Sequence, residues 1–360
     1  MRILYLITGL GVGGAERVVT SLADEMAARG HTVMIAYLVG PALVTPRNKK
    51  VAIEALKLES MRRFVPSFIA FIKLTREFKP DVIHSHMVHA NILARLARPF
   101  CSVKRLVCTA HSNNEGGKSR MLAYRLTGFL ADVTTNVSQD AVRAFEERGA
   151  ANKGVMLAIH NGVCTDRFQY NEVARDELRR EFSIAEGQAC ILAVGRLYDE
   201  KDYPTLFHAL IKLTGANNNY HLIIAGDGPA RGQLVELASE LCLQDKITFA
   251  GVRSDIYRLM SAADVFVLSS AWEGFGLVVA EAMACERVVV ATDCGGVAEV
   301  LGECGYLVPP ESPEELSDAL GDACALSESE RESIGQRARQ RVMDHYSLVA
   351  SADKWEALYQ

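Results

Sequence analysis

The stretch Arg2-Ile3-Leu4-Tyr5-Leu6-Ile7-Thr8-Gly9-Leu10-Gly11-Val12-Gly13-Gly14-Ala15-Glu16 decides how the rest of the sequence is read. One charged residue followed by an uncharged run resembles a secretory leader. However, four of the last seven residues of that run, Gly9 to Ala15, are glycine, and strand formers precede them. Strand-then-loop is therefore the better reading. The next segment, from about Ala15 to Arg29, is helical in pattern and stops at Gly30, a C-terminal capping residue. Strand, glycine turn and helix in that order open a nucleotide-type α/β unit. The turn formally satisfies G-x-G-x-x-G, in which missing side chains let backbone N–H groups approach a phosphate. A dinucleotide enzyme also needs an acidic residue about 20 positions on, to hold ribose hydroxyls. Here the second strand ends in Tyr37-Leu38-Val39-Gly40 without one, so NAD is disfavoured and the loop is left to approach some other phosphate or sugar.

Beyond this unit, short apolar runs rich in Ile, Val and Leu alternate with helical segments, as in buried parallel strands. Strands are expected at Arg2–Ile7, Thr32–Tyr37, Val82–His84, Arg105–Thr109, Val133–Asn136 and Val155–Ile159. A second set is expected at Ala189–Val194, Tyr220–Ala225, Ile247–Ala250, Val265–Leu268, Val288–Ala291 and Gly305–Val308. Two sets of about six strands imply an α/β protein of two Rossmann-like, doubly wound domains facing each other. The charged, polar stretch Thr165–Gly187 reads as a linker plus the first turns of the second domain. The domains are expected at 1–165 and 166–344. A helix over 345–360, rich in aromatics (Tyr346, Trp355, Tyr359), is expected to pack back on the first.

The composition agrees with this frame. At 360 residues and 49% hydrophobic, the chain is too apolar for a disordered protein and long enough for two cores. The formal net charge of −5 conceals a division. Residues 1–165 hold 22 Lys+Arg against 12 Asp+Glu, net +10; residues 166–360 hold 17 against 32, net −15. A basic first half points to an anionic partner such as a membrane surface or phosphate groups, charge drift being the bland alternative. Nucleic acid is not expected. The nine cysteines show no C-x-x-C pair and read as small hydrophobes in a reducing compartment. The longest uncharged stretch, Gly30 to Pro46, is interrupted by Gly40 and Pro41 and falls below the roughly 20 apolar residues a spanning helix needs.

Three segments of the second half carry chemistry. Gly195-Arg196-Leu197 follows a strand, with Lys201 five residues after the arginine. Two cations at a strand's carboxyl end suit a diphosphate; two solvated loop charges are the alternative. Ile224-Ala225-Gly226-Asp227-Gly228-Pro229 again ends a strand in a glycine turn. Glu273-Gly274-Phe275-Gly276-Leu277-Val278-Val279-Ala280-Glu281 is the most informative. It opens a helix at about Gly276, so one carboxylate stands before that helix and the other about a turn and a half inside it. Amides at the helix start can hold a phosphate, and carboxylates accept bonds from sugar or ribose hydroxyls.

This last segment resembles the E-x7-E signature of the retaining glycosyltransferases of the GT-B fold, of the family 4 type. Further matches run along most of the chain: Gly13-Gly14-Ala15-Glu16-Arg17, Asp81-Val82-Ile83-His84-Ser85-His86, Thr109-Ala110-His111, Asn161-Gly162-Val163, Val194-Gly195-Arg196-Leu197 with Lys201, Gly226-Asp227-Gly228-Pro229, Ala263-Asp264-Val265, and Gly295-Gly296 with Glu299. The resemblance implies that Arg196 and Lys201 neutralise the diphosphate of a nucleotide sugar, UDP-linked, carrying a hexose or N-acetylhexosamine. It implies Glu281 on the ribose, Glu273 on a sugar hydroxyl, and backbone N–H groups of Phe275, Gly276 and Leu277 on sugar and phosphate oxygens. Gly14 would close over the phosphate, Gly195 belongs to the cation loop, and Gly251-Val252-Arg253 would line the base pocket. The implied chemistry is metal-independent, with no cofactor beyond the nucleotide sugar.

In the first domain His111 ends a strand and is the candidate to touch the transferred sugar, a turn or capping histidine being the alternative. His84, His86 and His89 straddle a strand end and a loop and read as structural or acceptor-side residues rather than metal ligands. Arg62, Arg63, Lys73, Arg76 and Lys79 accompany Met61, Phe64, Val65, Phe68, Ile69 and Ile72 at helical spacing, which either packs on the sheet or meets a membrane. A second patch, Lys118, Arg120 and Arg125 with Met121, Leu122, Tyr124 and Leu126, follows His111 and, with Glu16 and Arg17, is the acceptor or membrane candidate. The expected acceptor is an oligosaccharide or a polyprenyl-diphosphate-linked glycan of bacterial surface polysaccharide or lipopolysaccharide assembly. The expected location is the inner face of the cytoplasmic membrane, held peripherally. A small soluble acceptor is the alternative within the same fold, and a non-catalytic or NAD-binding protein the alternative outside it.

Overall fold

The computed structural model describes residues 1–213 and 219–360, the side chain of Met61 excepted. The chain divides into two units, Met1–Gly162 with Leu348–Gln360, and Val163–Ser347.

The first unit begins β1 (Arg2–Gly9), α1 (Gly14–Ala28), β2 (Thr32–Val39), β3 (Ala52–Ala55), α2 (Phe64–Phe78) and β4 (Val82–His86). It continues α3 (Val88–Ala97), β5 (Arg105–Ala110), α4 (Lys118–Thr127), β6 (Val133–Asn136), α5 (Gln139–Glu147) and β7 (Leu157–Ala158). The seven strands are parallel, in the order β3-β2-β1-β4-β5-β6-β7. Alternate residues of β1 serve opposite cores: Ile3, Tyr5 and Ile7 one, Leu4 and Leu6 the other. The order reverses between β1 and β4, where open α/β sheets receive ligands at their carboxyl ends.

Two strands depart from the sequence expectation for the same reason. β3 was not expected, because this edge strand alternates exposed and half-buried residues over four positions and gives no apolar run. β7 keeps only two of five expected residues, since Val155 and Leu157 are exposed and bury no face. In α2 the buried stripe is Ser67, Phe71, Thr75 and Phe78, while Val65 and Ile69 are 62% and 60% exposed. The helix thus packs on the sheet through one face and keeps apolar side chains on another. Burying Phe71 completely contributes about 1.5–3 kcal/mol.

The second unit runs α6 (Glu172–Glu181), β8 (Ala189–Val194), α7 (Tyr203–Lys212), β9 (Tyr220–Ala225), α8 (Arg231–Glu240), β10 (Ile247–Gly251) and α9 (Ile256–Ala262). It then adds β11 (Val265–Leu268), α10 (Leu277–Ala284), β12 (Val288–Thr292), α11 (Val297–Leu301), β13 (Tyr306–Val308), α12 (Pro313–Ala325) and α13 (Glu328–His345). The sheet is again all parallel, in the order β10-β9-β8-β11-β12-β13, reversing between β8 and β11. Asp264 pins that junction: its carboxylate takes Arg175 at 2.5 Å, Arg179 at 3.0 Å and the Cys190 N–H at 2.8 Å. Burial pushes the Asp264 carboxyl up, but Arg175 and the Cys190 amide outweigh it and hold it below the usual range.

The last helix, α14 (Leu348–Tyr359), belongs to the first unit. Trp355 and Tyr359 enter the core beside Tyr5, and Arg29, which caps the end of α1, reaches Asp353 and Glu356, both at 2.6 Å. Tyr359 Oη lies 2.7 Å from His84 Nδ1, so the histidine is consumed in a buried network. No helix among the described residues is long and apolar enough to cross a membrane.

Candidate functional site

At the carboxyl edge of the second unit's sheet, four loops interlock through glycine. The turn after β9 approaches the loop after β8 so closely that a Cβ on Gly226 would lie 1.8 Å from the Gly195 carbonyl oxygen. Leu197 N–H donates to the Asp227 carbonyl at 3.0 Å. The loop after β12 similarly supports the one after β11. Gly295, at φ +55°, has room for no Cβ, which would meet the Glu273 carbonyl oxygen at 1.9 Å. Gly296 N–H donates to the Gly274 carbonyl at 3.2 Å, and Thr292 Oγ1 to the Ser270 carbonyl at 2.6 Å.

This frame brings Lys201 and Glu273 together across the switch point. Lys201 Nζ bonds Glu273 Oε1, which also accepts Ser270 Oγ at 2.9 Å; Ser269 Oγ donates to the Lys201 carbonyl at 2.8 Å. Both side chains are about five-sixths enclosed, at 15% and 16% exposure. Gly195 faces the Lys201 stem, where a Cβ would come within 3.1 Å of Cε. Arg196 is held apart from this pair, 56% exposed, bonded to Glu200 Oε1 at 3.1 Å and lying over the Tyr198 ring at 4.9 Å. Its guanidinium is thus open to solvent on the side away from these two contacts.

Gly276 caps α10 in the left-handed region, φ +81°, so the backbone turns into the helix at the position the sequence marks. Phe275 is buried, its ring 5.7 Å from Tyr346, and Leu277 begins the helix whose first amides have no intrahelical acceptor. Glu281 is 4% exposed within α10. Arg253, in the loop after β10, commits its guanidinium to Asp255 at 2.8 and 2.7 Å and to Glu181 at 2.7 Å.

In the first unit, Gly14 is exposed at the start of α1, and Glu16 folds back so that its carboxylate fills the space beside Gly13. Arg17 stands in the same first turn, half-buried. His111 follows β5, and its Nε2 lies 3.0 Å from Nδ1 of His86, at the end of β4. Burial pushes His111 down to about 4 and holds His84 and His86 well below the usual imidazole value, so all three are neutral near pH 7. Lys118, Arg120 and Arg125 are exposed on α4, with Leu122 and Leu126 exposed beside them at 54% and 63%. Met121 and Tyr124 of the same patch point inward instead.

Two features escape sequence reasoning. Phe129, in the turn after α4, is 83% exposed and extends the apolar side of that patch. Glu115, four residues after His111, turns its carboxylate inward onto the His111 N–H at 2.7 Å and the Tyr124 hydroxyl. A lone glutamate in a loop of Ser, Asn and Gly carries no pattern that announces this.

Residues 12–167 match the family model described as Glycosyltransferase Family 4, and residues 174–341 the model described as Glycosyl transferases group 1. This is a GT-B glycosyltransferase. Among its relatives, the N-acetyl-alpha-D-glucosaminyl L-malate synthase of Bacillus anthracis is 25% identical over 97% of this chain and 94% of its own. A UDP-Gal:alpha-D-GlcNAc-diphosphoundecaprenol alpha-1,3-galactosyltransferase of Escherichia coli is 26% identical over 83% of this chain and 80% of its own. Among solved structures, HepE of Anabaena in complex with UDP and glucose superposes on this glycosyltransferase with a TM-score of 0.86. The match covers 99% of this chain and 98% of that one at 21% identity, a likeness of fold.

Proposed function

We propose that this glycosyltransferase moves a hexose or N-acetylhexosamine from a UDP-sugar to a glycan acceptor linked to a polyprenyl diphosphate, with retention at the anomeric carbon. The observation that carries it is the Lys201–Glu273 pair at the β8/β11 switch point, on the loop that leads through Gly276 into α10 and its buried Glu281. In this reading Lys201 and the solvent-exposed Arg196 hold the diphosphate, Glu273 takes a sugar hydroxyl, and Glu281 the ribose. The amides of Phe275, Gly276 and Leu277 face sugar and phosphate oxygens. Gly195 leaves room for the Lys201 stem. Arg253 lines the base site with its backbone and stem, since its charge is already met. Gly14 approaches the phosphate, and His111 the transferred sugar.

The acceptor oxygen attacks the anomeric carbon from the face that the diphosphate leaves. The carbon–oxygen bond to phosphate breaks, and a departing phosphate oxygen takes the acceptor's proton. Charge gathers on the diphosphate, so fixed cations stabilise the transition state more than the ground state. Arg196 and Lys201 supply that charge, and no metal is required.

The lipid-linked acceptor is supported by the basic first unit and by the α4 patch, where Leu122, Leu126 and Phe129 stand beside Lys118, Arg120 and Arg125, with Glu16 and Arg17 at α1 as further acceptor contacts. Apolar side chains among cations suit the headgroup region of an anionic leaflet, on the cytoplasmic face where the substrate is assembled. The Escherichia coli relative's name specifies an undecaprenol-linked acceptor. The name of the Bacillus anthracis relative specifies L-malate, which keeps a small soluble acceptor in view. The test is a hydrolysis screen of purified protein against UDP-, GDP-, ADP- and dTDP-sugars without acceptor. Turnover of a UDP-sugar is expected; turnover confined to another nucleotide, or of none, refutes the donor assignment.

A further inference from the structure

We propose that Glu115 is a positioning residue that sets the place of His111, using one carboxylate to tie three elements of the first unit together. This rests on the reading of His111 as the group that meets the transferred sugar.

The clamp is built from donors only. Glu115 accepts the His111 N–H through Oε1 at 2.7 Å and the Tyr124 hydroxyl through Oε2, and the Val88 N–H at the start of α3 also bonds the carboxylate. Asn91 of α3 closes the ring, its Nδ2 donating to Tyr124 Oη at 2.9 Å and to the Thr109 carbonyl at the end of β5 at 2.8 Å. The loop between β5 and α4 is therefore fastened to β5, α3 and α4 at once. His111 is fixed at a second point where its Nε2 meets buried His86, and its Nδ1 is the ring atom left to a ligand.

A carboxylate among donors works only when ionised, because a proton on either oxygen must displace one of them. The charged and titratable groups around it are Arg95 on α3, Tyr124 on α4, His111 itself, and Arg120, which donates to the Glu115 carbonyl at 3.2 Å. Arg95 is almost wholly buried and lies over the Tyr124 ring at 5.0 Å, so its charge reaches Glu115 across that ring. Burial pushes the Glu115 carboxyl up to about 7, ahead of the lowering effects of Tyr124, the His111 amide, Arg95 and Val88. Through the range where an ordinary glutamate is already ionised the clamp is therefore mostly unmade; it is half made near pH 7 and completes as the pH rises above that.

The experiment compares donor turnover against pH for the wild type, Glu115→Gln, His111→Ala and the double variant. The wild type is expected to gain kcat through a midpoint near 7, and Glu115→Gln to lose about tenfold or more in kcat together with that limb. The donor KM changes less than about twofold. Acting through His111, Glu115→Gln has no further effect when His111 is already alanine. Additive losses in the double variant, or a wild-type profile in Glu115→Gln, overturn the proposal. The titration of the His111 backbone amide by NMR tests the clamp without any turnover: a midpoint near 7 that vanishes in Glu115→Gln supports it, and an amide that does not respond overturns it. Turnover failing in the wild type while the amide titrates as stated refutes the functional reading and leaves the clamp standing. If the glutamine variant does not fold, Tyr124→Phe removes one donor and raises the midpoint; an unmoved midpoint refutes the clamp.

Discussion

Gly295→Ala should cut turnover about 10²-fold while leaving the second unit folded. Gly295 has φ +55°, a region in which a Cβ costs about 1–2 kcal/mol. The larger effect is displacement. A Cβ there would lie 1.9 Å from the Glu273 carbonyl oxygen and 2.7 Å from its carbonyl carbon, where contacts below 3.0 Å essentially never occur. The obstacle is main chain, so no flexible side chain can swing aside, and a gap of about 1 Å has to open between the loops after β11 and β12. That moves Glu273 relative to Lys201, and a misplacement of about 1 Å in a catalytic site costs on the order of 10²-fold. Gly187→Ala is the control, since Gly187 also has a positive φ, +72°, yet a Cβ there meets nothing within 4 Å. Both variants should melt lower by roughly 2–4 °C per kcal/mol lost. Only Gly295→Ala should lose about 10²-fold in kcat for donor hydrolysis. Wild-type kcat in Gly295→Ala, with the same melting loss as the control, would show that the β12 loop does not set the position of Glu273.

Lys201→Ala and Arg196→Ala should each cost roughly 10²-fold or more in kcat, and Arg196→Ala should leave the melting temperature unchanged because that side chain is mostly in solvent; normal turnover in either removes that residue from the diphosphate site. Trp355→Ala should destabilise the first unit by about 3–5 kcal/mol in chemical denaturation, since the ring is 3% exposed; a loss below about 1 kcal/mol would mean α14 is dispensable to that core. His84, His86 and His111 are held neutral by burial, so the unfolded chain binds protons first as pH falls below 6.5. Their contribution is present above 6.5 and lost toward 4, while Glu115, shifted upward, opposes it between 4.5 and 7. Trp355 fluorescence in a Trp272→Phe background should report acid unfolding of the first unit in that window, and a flat signal would refute the histidine assignment. Phe129→Asp and Leu126→Asp should weaken salt-sensitive sedimentation with anionic vesicles without changing donor hydrolysis; unaltered sedimentation would move the membrane contact elsewhere.

Both sheets were legible because parallel strands buried on two faces must be continuously apolar, as Cys190–Val194 and Val265–Leu268 are. Edge strands lack that requirement, which is why Ala52–Ala55 carries no strand signal and the apolar run Val155–Ile159 is longer than the strand it holds. The Lys201–Glu273 contact could be placed at one sheet edge from glycine turns and strand ends. Its partners Ser269 and Ser270 could not be singled out, since serines after a strand look like any turn. The apolar stripe of α2 was read with Val65 and Ile69 in it, whereas packing selected Ser67, Phe71 and Thr75. Periodicity finds a helix but not which of two apolar faces meets the sheet. Glu115 was invisible because inward orientation of a loop carboxylate depends on donors contributed by α3 and α4.

The return of the chain to its first unit has a consequence for biosynthesis. Residues 163–347 form a self-contained body, whereas the core beside Tyr5 takes Ala352, Trp355 and Tyr359 from the last helix. During synthesis the earlier-made sheet, covered on that face by α1, therefore lacks this last part of its core until the later-made unit has left the ribosome. The first unit to be made is thus the last to receive all of its residues, and a chain stopped after Ser347 would carry every residue of the second unit while lacking Trp355 and Tyr359 of the first.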